Sequence, residues 1–145
     1  MNNAVIRRLL PADADEIGRI SSSITGKLNR IDFHNVISKQ ANSEDDASFV
    51  AVRDNQLVGY CISYVLSGSF GIEKSAWVAM IGVDPNHMGQ GIGEVLAKEA
   101  LNHYKVRGIT KIFTSVRWDS TDLLSFFKTL GFQRSDFINL HKSLE

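Results

Sequence analysis

Apolar positions recur along this chain at two spacings, and the alternation between them lays out its elements. Ala4–Arg8 is a short apolar-leaning run and reads as a first strand. In Pro11–Ser22, Ala14, Ile17 and Ile20 fall at helical spacing. Thr25–Ile31 is ambiguous. Asp32 is placed as the N-cap of a helix running through about Gln40, with Phe33, Val36, Ile37 and Ala41 on one face. Polar Asn42–Asp46 reads as a loop. Phe49–Val52 and Leu57–Leu66, joined by Arg53-Asp54-Asn55-Gln56, predict a β-hairpin. Ser67–Ser75, with two glycines, predicts another loop or wide turn, and Trp77–Val83 a strongly apolar strand.

From Gly91 the pattern turns to a period of 3.6, with Ile92, Val95, Leu96, Glu99, Ala100, His103 and Tyr104 on one face and a stop at Gly108. Lys111–Val116 reads as the next strand. Ser120 or Thr121 caps a helix carrying Leu123, Leu124, Phe126, Phe127 and Leu130, which Gly131 ends. Phe132 onward predicts one or two closing strands. Strands followed by alternating helices and strands predict an α/β (α+β) sandwich around a mixed sheet, as one domain over residues 1–145.

Composition narrows the function classes. Sixteen basic side chains balance sixteen acidic ones, which argues against a broad nucleic-acid footprint. No apolar run approaches the length of a membrane span, and the N-terminus lacks a signal-peptide pattern, so a soluble, cytoplasmic protein is expected. The single Cys61 lies in an apolar run and excludes an internal disulfide; it reads as a buried, inert thiol. His34, His87, His103 and His141 have no metal-ligand spacing, so no metal site is expected.

The chemistry concentrates in Met80–Leu96. A strand meets the turn Asp84-Pro85, and a loop with Gly89, Gly91 and Gly93 opens directly into a helix. Such a loop brings backbone close to a ligand, and the helix start adds unpaired N–H groups and partial positive charge, so an anion site is expected, with phosphate the usual guest. The Walker pattern fails because no lysine followed by Ser or Thr closes the loop. The dinucleotide fingerprint fails because its third glycine falls on Leu96.

Val83-Asp84-Pro85, five residues, then Gly91-Ile92-Gly93 and an aliphatic helix resembles the acetyl-CoA motif of the GCN5-related N-acetyltransferases, written R/Q-x-x-G-x-G/A. Phe126-Phe127-Lys128-Thr129-Leu130-Gly131-Phe132 resembles that family's second signature, and the interval suits one helix, one strand and another helix. The resemblance covers essentially the whole chain. It implies a mixed, mostly antiparallel sheet flanked by helices and splayed between the strand ending at Val83 and Lys111–Val116. It implies acetyl-CoA as cosubstrate, no metal, and a primary amine on a small molecule or protein as acceptor, attacked directly in a ternary complex. A homodimer is in keeping with it, with no nucleic acid or membrane partner.

By the same resemblance the cofactor site comprises Ile81, Gly82, Val83, Met88, Gly89, Gln90, Gly91, Ile92, Gly93, Glu94, Ser120 and Phe127. The loop amides from about Gly89 to Glu94 hold the pyrophosphate, the backbone near Ile81 and Val83 pairs with the pantetheine arm, and Ser120 stands where an asparagine often contacts it. Lys98, Arg117 and Lys128 are candidates for the further phosphate. Two positions depart from the pattern. Met88 replaces a polar side chain, and Phe127 replaces a tyrosine that protonates the leaving thiolate in many members. Glu73 is the preferred candidate for general base, with Asp119 and Asp122 as alternatives. Phe33, Phe70 and Trp77 are placed on the acceptor side. Phe127 keeps a rival reading open, a non-catalytic acyl-CoA-binding sensor. A nucleotide-binding domain is a third.

Overall fold

The computed structural model describes residues 4–26, 31–40, 45–68, 71 and 73–145. Five strands form one sheet in chain order: β1 (Val5–Arg8), β2 (Phe49–Arg53), β3 (Gln56–Ser67), β4 (Lys74–Val83) and β5 (Ile112–Thr114). The first three pairings are antiparallel and β4–β5 is parallel, which is the expected mixed sheet. Asp54 and Asn55 both take left-handed backbone angles, φ 51° and 61°, and close the β2–β3 hairpin as short polar turn residues do. Helices α1 (Ala14–Thr25) and α2 (Phe33–Gln40) pack on one face through Ile17, Ile20, Phe33 and Ile37, against Val50, Leu57, Tyr60 and Ile62. Helix α3 (Ile92–Val106) packs on the other through Ile92, Leu96, Ala100 and Tyr104, against Ala51, Val58, Cys61 and Ala76. Helix α4 (Thr121–Thr129) follows β5.

Several boundaries differ from the pattern reading. Pro11–Asp13 is a 3-10 turn, so α1 begins at Ala14, and Gly26 ends it with φ 68°. The ambiguous stretch from Thr25 and the position of Ala41 extend into residues outside the described set. β4 starts at Lys74, because Lys74 and Ser75 are polar yet pair with Ser67 and Leu66. Ala97 is buried in α3, whereas Val95 and Glu99 face solvent, so the buried stripe follows Ile92, Leu96, Ala100 and Tyr104 at four-residue spacing. The closing strands expected after Phe132 do not form. Ser135 Oγ accepts the Phe137 N–H and donates to the Phe137 carbonyl, a local turn that takes up groups a ladder would use.

Buried polar groups have defined partners, as Tyr104 and Asp13 show. The Tyr104 hydroxyl accepts the Ala47 N–H at 2.9 Å and meets Ser63 Oγ at 2.7 Å, fixing α3 to the chain entering β2. Asp13 takes a bidentate bond from Arg7, both contacts 2.9 Å, and the Leu10 N–H at 2.8 Å. Burial pushes the Asp13 carboxyl up, but the Arg7 hydrogen bonds, the Leu10 N–H and the Arg7 charge outweigh it and hold the carboxyl below its usual range. A depressed folded value means that this contribution is complete above the unfolded carboxyl range and fades as pH falls through the folded one. Asp13→Asn is therefore expected to cost about 1–2 kcal/mol near neutral pH, the pair being half open to water. It should also flatten the loss of stability below about pH 4. Urea midpoints measured from pH 3 to 7 check both, and an unchanged acid slope would remove Asp13 from the acid response.

Candidate active site

β4 and β5 pair only at Ala76–Val78 with Ile112–Thr114. At the last rung Thr114 Oγ1 donates to the Val78 carbonyl at 2.9 Å. Beyond it the strands part. The separation begins at a bulge, because Ile62 pairs with Met80 and Ser63 with Val78, leaving Ala79 as the extra residue of β4. A bulge bends and re-aims its strand. The β5-facing edge of Ala79–Val83 is left without a strand partner among the described residues.

A cavity of about 260 Å³ occupies the fork. Its walls are Ser21, Ile24, Thr25 and Ile31 from the α1–α2 side, Val78–Ile81 from β4, Thr114–Val116 from the end of β5 onward, and Tyr60, Leu123 and Phe127. Every one of these described wall residues is uncharged. Tyr60 packs its ring over Gly82: a Cβ at residue 82 would lie 2.8–2.9 Å from the ring and its oxygen. Gly82 is thus required by the tyrosine behind it. Burial pushes the Tyr60 hydroxyl up, and a hydrogen bond with Ser21 offsets part of the shift.

At the end of β4, Asp84 is buried and ordered from several directions. Its N–H donates to the Val58 carbonyl at 2.8 Å, and its carboxylate accepts the Asn86 N–H at 3.0 Å and Arg19 Nη1 at 3.2 Å. The Asn86 N–H is the main reason its carboxyl lies below the usual range; burial opposes this, and Arg19 and His87 add to the lowering. The glycine loop follows. Gly89 and Gly91 take φ 76° and 79°, and a Cβ at either would meet nothing within 4 Å, so both present bare backbone to open space. Val95 N–H makes the first bond back, to the Gly91 carbonyl at 3.1 Å, so helix geometry leaves the N–H groups of Ile92, Gly93 and Glu94 to other partners. Those donors, the helix dipole and the open loop can together serve as an anion cradle, directly after β4 ends. Phe126 comes within 3.4 Å of a Cβ placed on Gly93, so the two sequence motifs meet in space.

The fork and the cradle gather most of the residues singled out in the sequence. Ile81 and Phe127 line the cavity, Gly82 and Val83 complete β4, and Met88–Glu94 form the loop and first helical turn. Met88 is 54% exposed. Gln90 turns its amide oxygen to Arg53. Ser120 precedes α4 without a side-chain cap bond and is not among the wall residues. Glu73 is exposed at the start of β4, six residues before Ala79, about 20 Å of extended chain. Asp119 pairs with Arg117 at 3.0 Å and Lys98 with Glu94 at 2.7 Å, both at the surface. Trp77 stacks on Phe113 at 4.8 Å, Phe33 is in the core beneath α1, and Phe70 lies outside the described residues. Cys61 is fully buried, and burial pushes its thiol up to about 12, so it is inert as expected. Sequence reasoning missed Ser21, Tyr60, Thr114, Arg19 and Arg53, none of which belongs to a local motif. Among the described residues no group of His, Cys, Asp and Glu is arranged to hold a metal, and no helix is long and apolar enough to cross a membrane.

Comparison with known proteins converges on one family. The profile of the Acetyltransferase (GNAT) family matches residues 16–132. The mycothiol acetyltransferase of Amycolatopsis mediterranei strain U-32 is 30% identical over 101 residues, 68% of this chain and 34% of that protein. The chain spans about a quarter to a third of the length of the curated relatives it matches. An aminoglycoside acetyltransferase from an uncultured soil metagenomic sample, solved with sisomicin, superposes with a TM-score of 0.80 at 23% identity, covering 98% of this chain and 97% of that one. A ribosomal-protein-alanine N-acetyltransferase from Brucella melitensis biovar Abortus 2308 superposes with a TM-score of 0.77 at 20% identity, covering 98% and 99%.

Proposed function

The chain belongs to the GNAT acetyltransferase family, and from that premise we propose that it moves the acetyl group of acetyl-CoA to a primary amine of a small molecule or protein. The parting of β4 and β5 directly beside the open glycine loop carries this reading. The cosubstrate fits the residues present: left-handed Gly89 and Gly91, open to space, and the first-turn donors of α3 suit its pyrophosphate. The free edge of Ala79–Val83 offers backbone groups to the amides of its arm, and Ile81 and Phe127 would flank its reactive end. Bound there, it supplies an activated acyl group on a thiol leaving group.

The remaining work falls to this chain's own groups. A backbone N–H on the β4 edge can polarise the acyl carbonyl, and the uncharged, largely apolar walls limit the water that would compete with the amine. Phe127 has no proton to give, so the departing sulfur takes one from water or from the attacking amine. An unperturbed amine is only about one part in a thousand neutral at pH 7, so its proton must be removed. Glu73 can receive it only through water, given the length of β4 between them. Glu73→Gln is accordingly expected to lower kcat about two-fold or less, with KM for acetyl-CoA unmoved. A ten-fold loss with a shifted pH profile would make Glu73 a direct base.

Titration with acetyl-CoA followed by thiol-release assays over a panel of amines and peptides tests the function. Binding with release on at least one acceptor is expected. Binding with no release on any acceptor would favour the sensor reading that the missing hydroxyl at Phe127 keeps alive, and absence of binding would defeat both.

A further inference from the structure

We infer that Arg53 and Arg19 are positioning residues for the cofactor loop, which they clamp at its two ends through Gln90 and Asp84. This rests on the reading that the loop takes the pyrophosphate of acetyl-CoA. The loop begins at Asp84, whose buried carboxylate receives Arg19 from α1. Arg19 also reaches the Leu57 carbonyl at 3.4 Å and Glu16 at 3.0 Å, so the contact ties loop, hairpin and α1 together. Near its other end Arg53, the last residue of β2, donates to the Gln90 amide oxygen. The residues between include Gly89, with Gly91 following, both left-handed and with nothing packed on the Cβ side. Loose glycine backbone loses much freedom when it is ordered around a ligand, and holding its ends in advance reduces that loss.

The clamp also answers the departure at Met88. Where the family pattern prefers a polar side chain, this chain has an exposed thioether with nothing to offer the loop. The two arginines come instead from elements 37 and 65 residues away in sequence. Arg53 meets Gln90 within the loop, and Arg19 is held between Asp84 of the loop and Glu16 of its own helix, so both contacts are in place without the ligand.

Calorimetric titration of coenzyme A into the unaltered protein, Arg53→Ala, Gln90→Ala and the double variant tests the inference. Each single variant is expected to weaken coenzyme A binding about five-fold, as befits an exposed charge-assisted contact. The double variant should be no weaker than the singles. For whichever amine is turned over, KM for acetyl-CoA should rise while kcat and the acceptor KM stay within about two-fold, and melting of the unliganded protein should not move. Additive losses in the double variant would mean that Arg53 acts on the cofactor directly and would overturn the positioning role, as would unchanged affinity in the singles. Should Arg53→Ala fail to fold, Gln90→Ala carries the test. Unaltered protein that binds no coenzyme A would defeat the proposed function itself, an outcome seen before any variant is made.

Discussion

Gly91→Glu is expected to reduce coenzyme A affinity by a factor of a hundred or more while leaving a folded protein. Two separate costs produce this. Gly91 has φ 79°, a conformation that costs a residue with a Cβ about 1–2 kcal/mol. The new side chain would meet no packed atoms, so it fits sterically and the fold survives. Its carboxylate, however, would enter the cradle formed by the first-turn N–H groups of α3, compete for those donors and repel the pyrophosphate. At about 4 Å and an effective dielectric constant of about 20, each like-charge pair costs about 4 kcal/mol. Gly91→Ala separates the terms, since it carries only the backbone cost and should weaken binding about ten-fold. Calorimetric titration of both variants checks the prediction. Glu and Ala variants of equal affinity would remove the charge argument, and unchanged affinity in both would move the pyrophosphate away from this loop.

That loop was legible in the sequence because its determinants are local. Glycine spacing, the aliphatic period after Gly91 and the stop at Gly108 all lie within one helix and its approach. The β2–β3 turn was legible for the same reason, since Asp54 and Asn55 are residue types that tolerate the left-handed angles they adopt. The parts that escaped depend on partners far along the chain. Lys74 and Ser75 look like loop residues until Ser67 and Leu66 are brought beside them. The bulge at Ala79, which opens the fork, is a matter of register between two strands and leaves no mark on either alone. Gly82 was assigned to the ligand, yet a reason for it stands on the other side, in Tyr60. The arginine clamp joins residues that no spacing rule connects. The C-terminal strands failed for the opposite reason. Phe132 onward reads as closing strands, but Ile138, Leu140 and Leu144 are 85%, 87% and 91% exposed, so nothing described in this chain covers them.

Leu96→Ala is expected to give the largest loss of stability, about 3 kcal/mol, and to lower the melting midpoint by about 10 °C. Leu96 is wholly buried on the second turn of α3, and its Cδ1 lies 3.0 Å from the point where a Cβ on Gly59 would stand. The leucine therefore fills a notch that the absent side chain leaves in β3, and Ile92 borders the same notch at 3.1 Å. Removing three carbons from a site walled by strand backbone leaves a void that the neighbours cannot close, which puts the cost well above simple transfer. Gly59→Ala should be destabilising on its own, because the added methyl would press on Leu96, Ile92 and the Gly82 carbonyl. In the Leu96→Ala background the same methyl gains room on the leucine side. The double variant is then expected to be more stable than the sum of the two single losses predicts, though still below the unaltered protein because Ile92 and the Gly82 carbonyl remain. Urea midpoints for the three variants measure that coupling. Strict additivity would mean that α3 is not seated on β3 through this notch. The same seat sets where the first turn of α3 points its N–H groups, so Leu96→Ala should also weaken coenzyme A binding, although Leu96 is not part of the cradle.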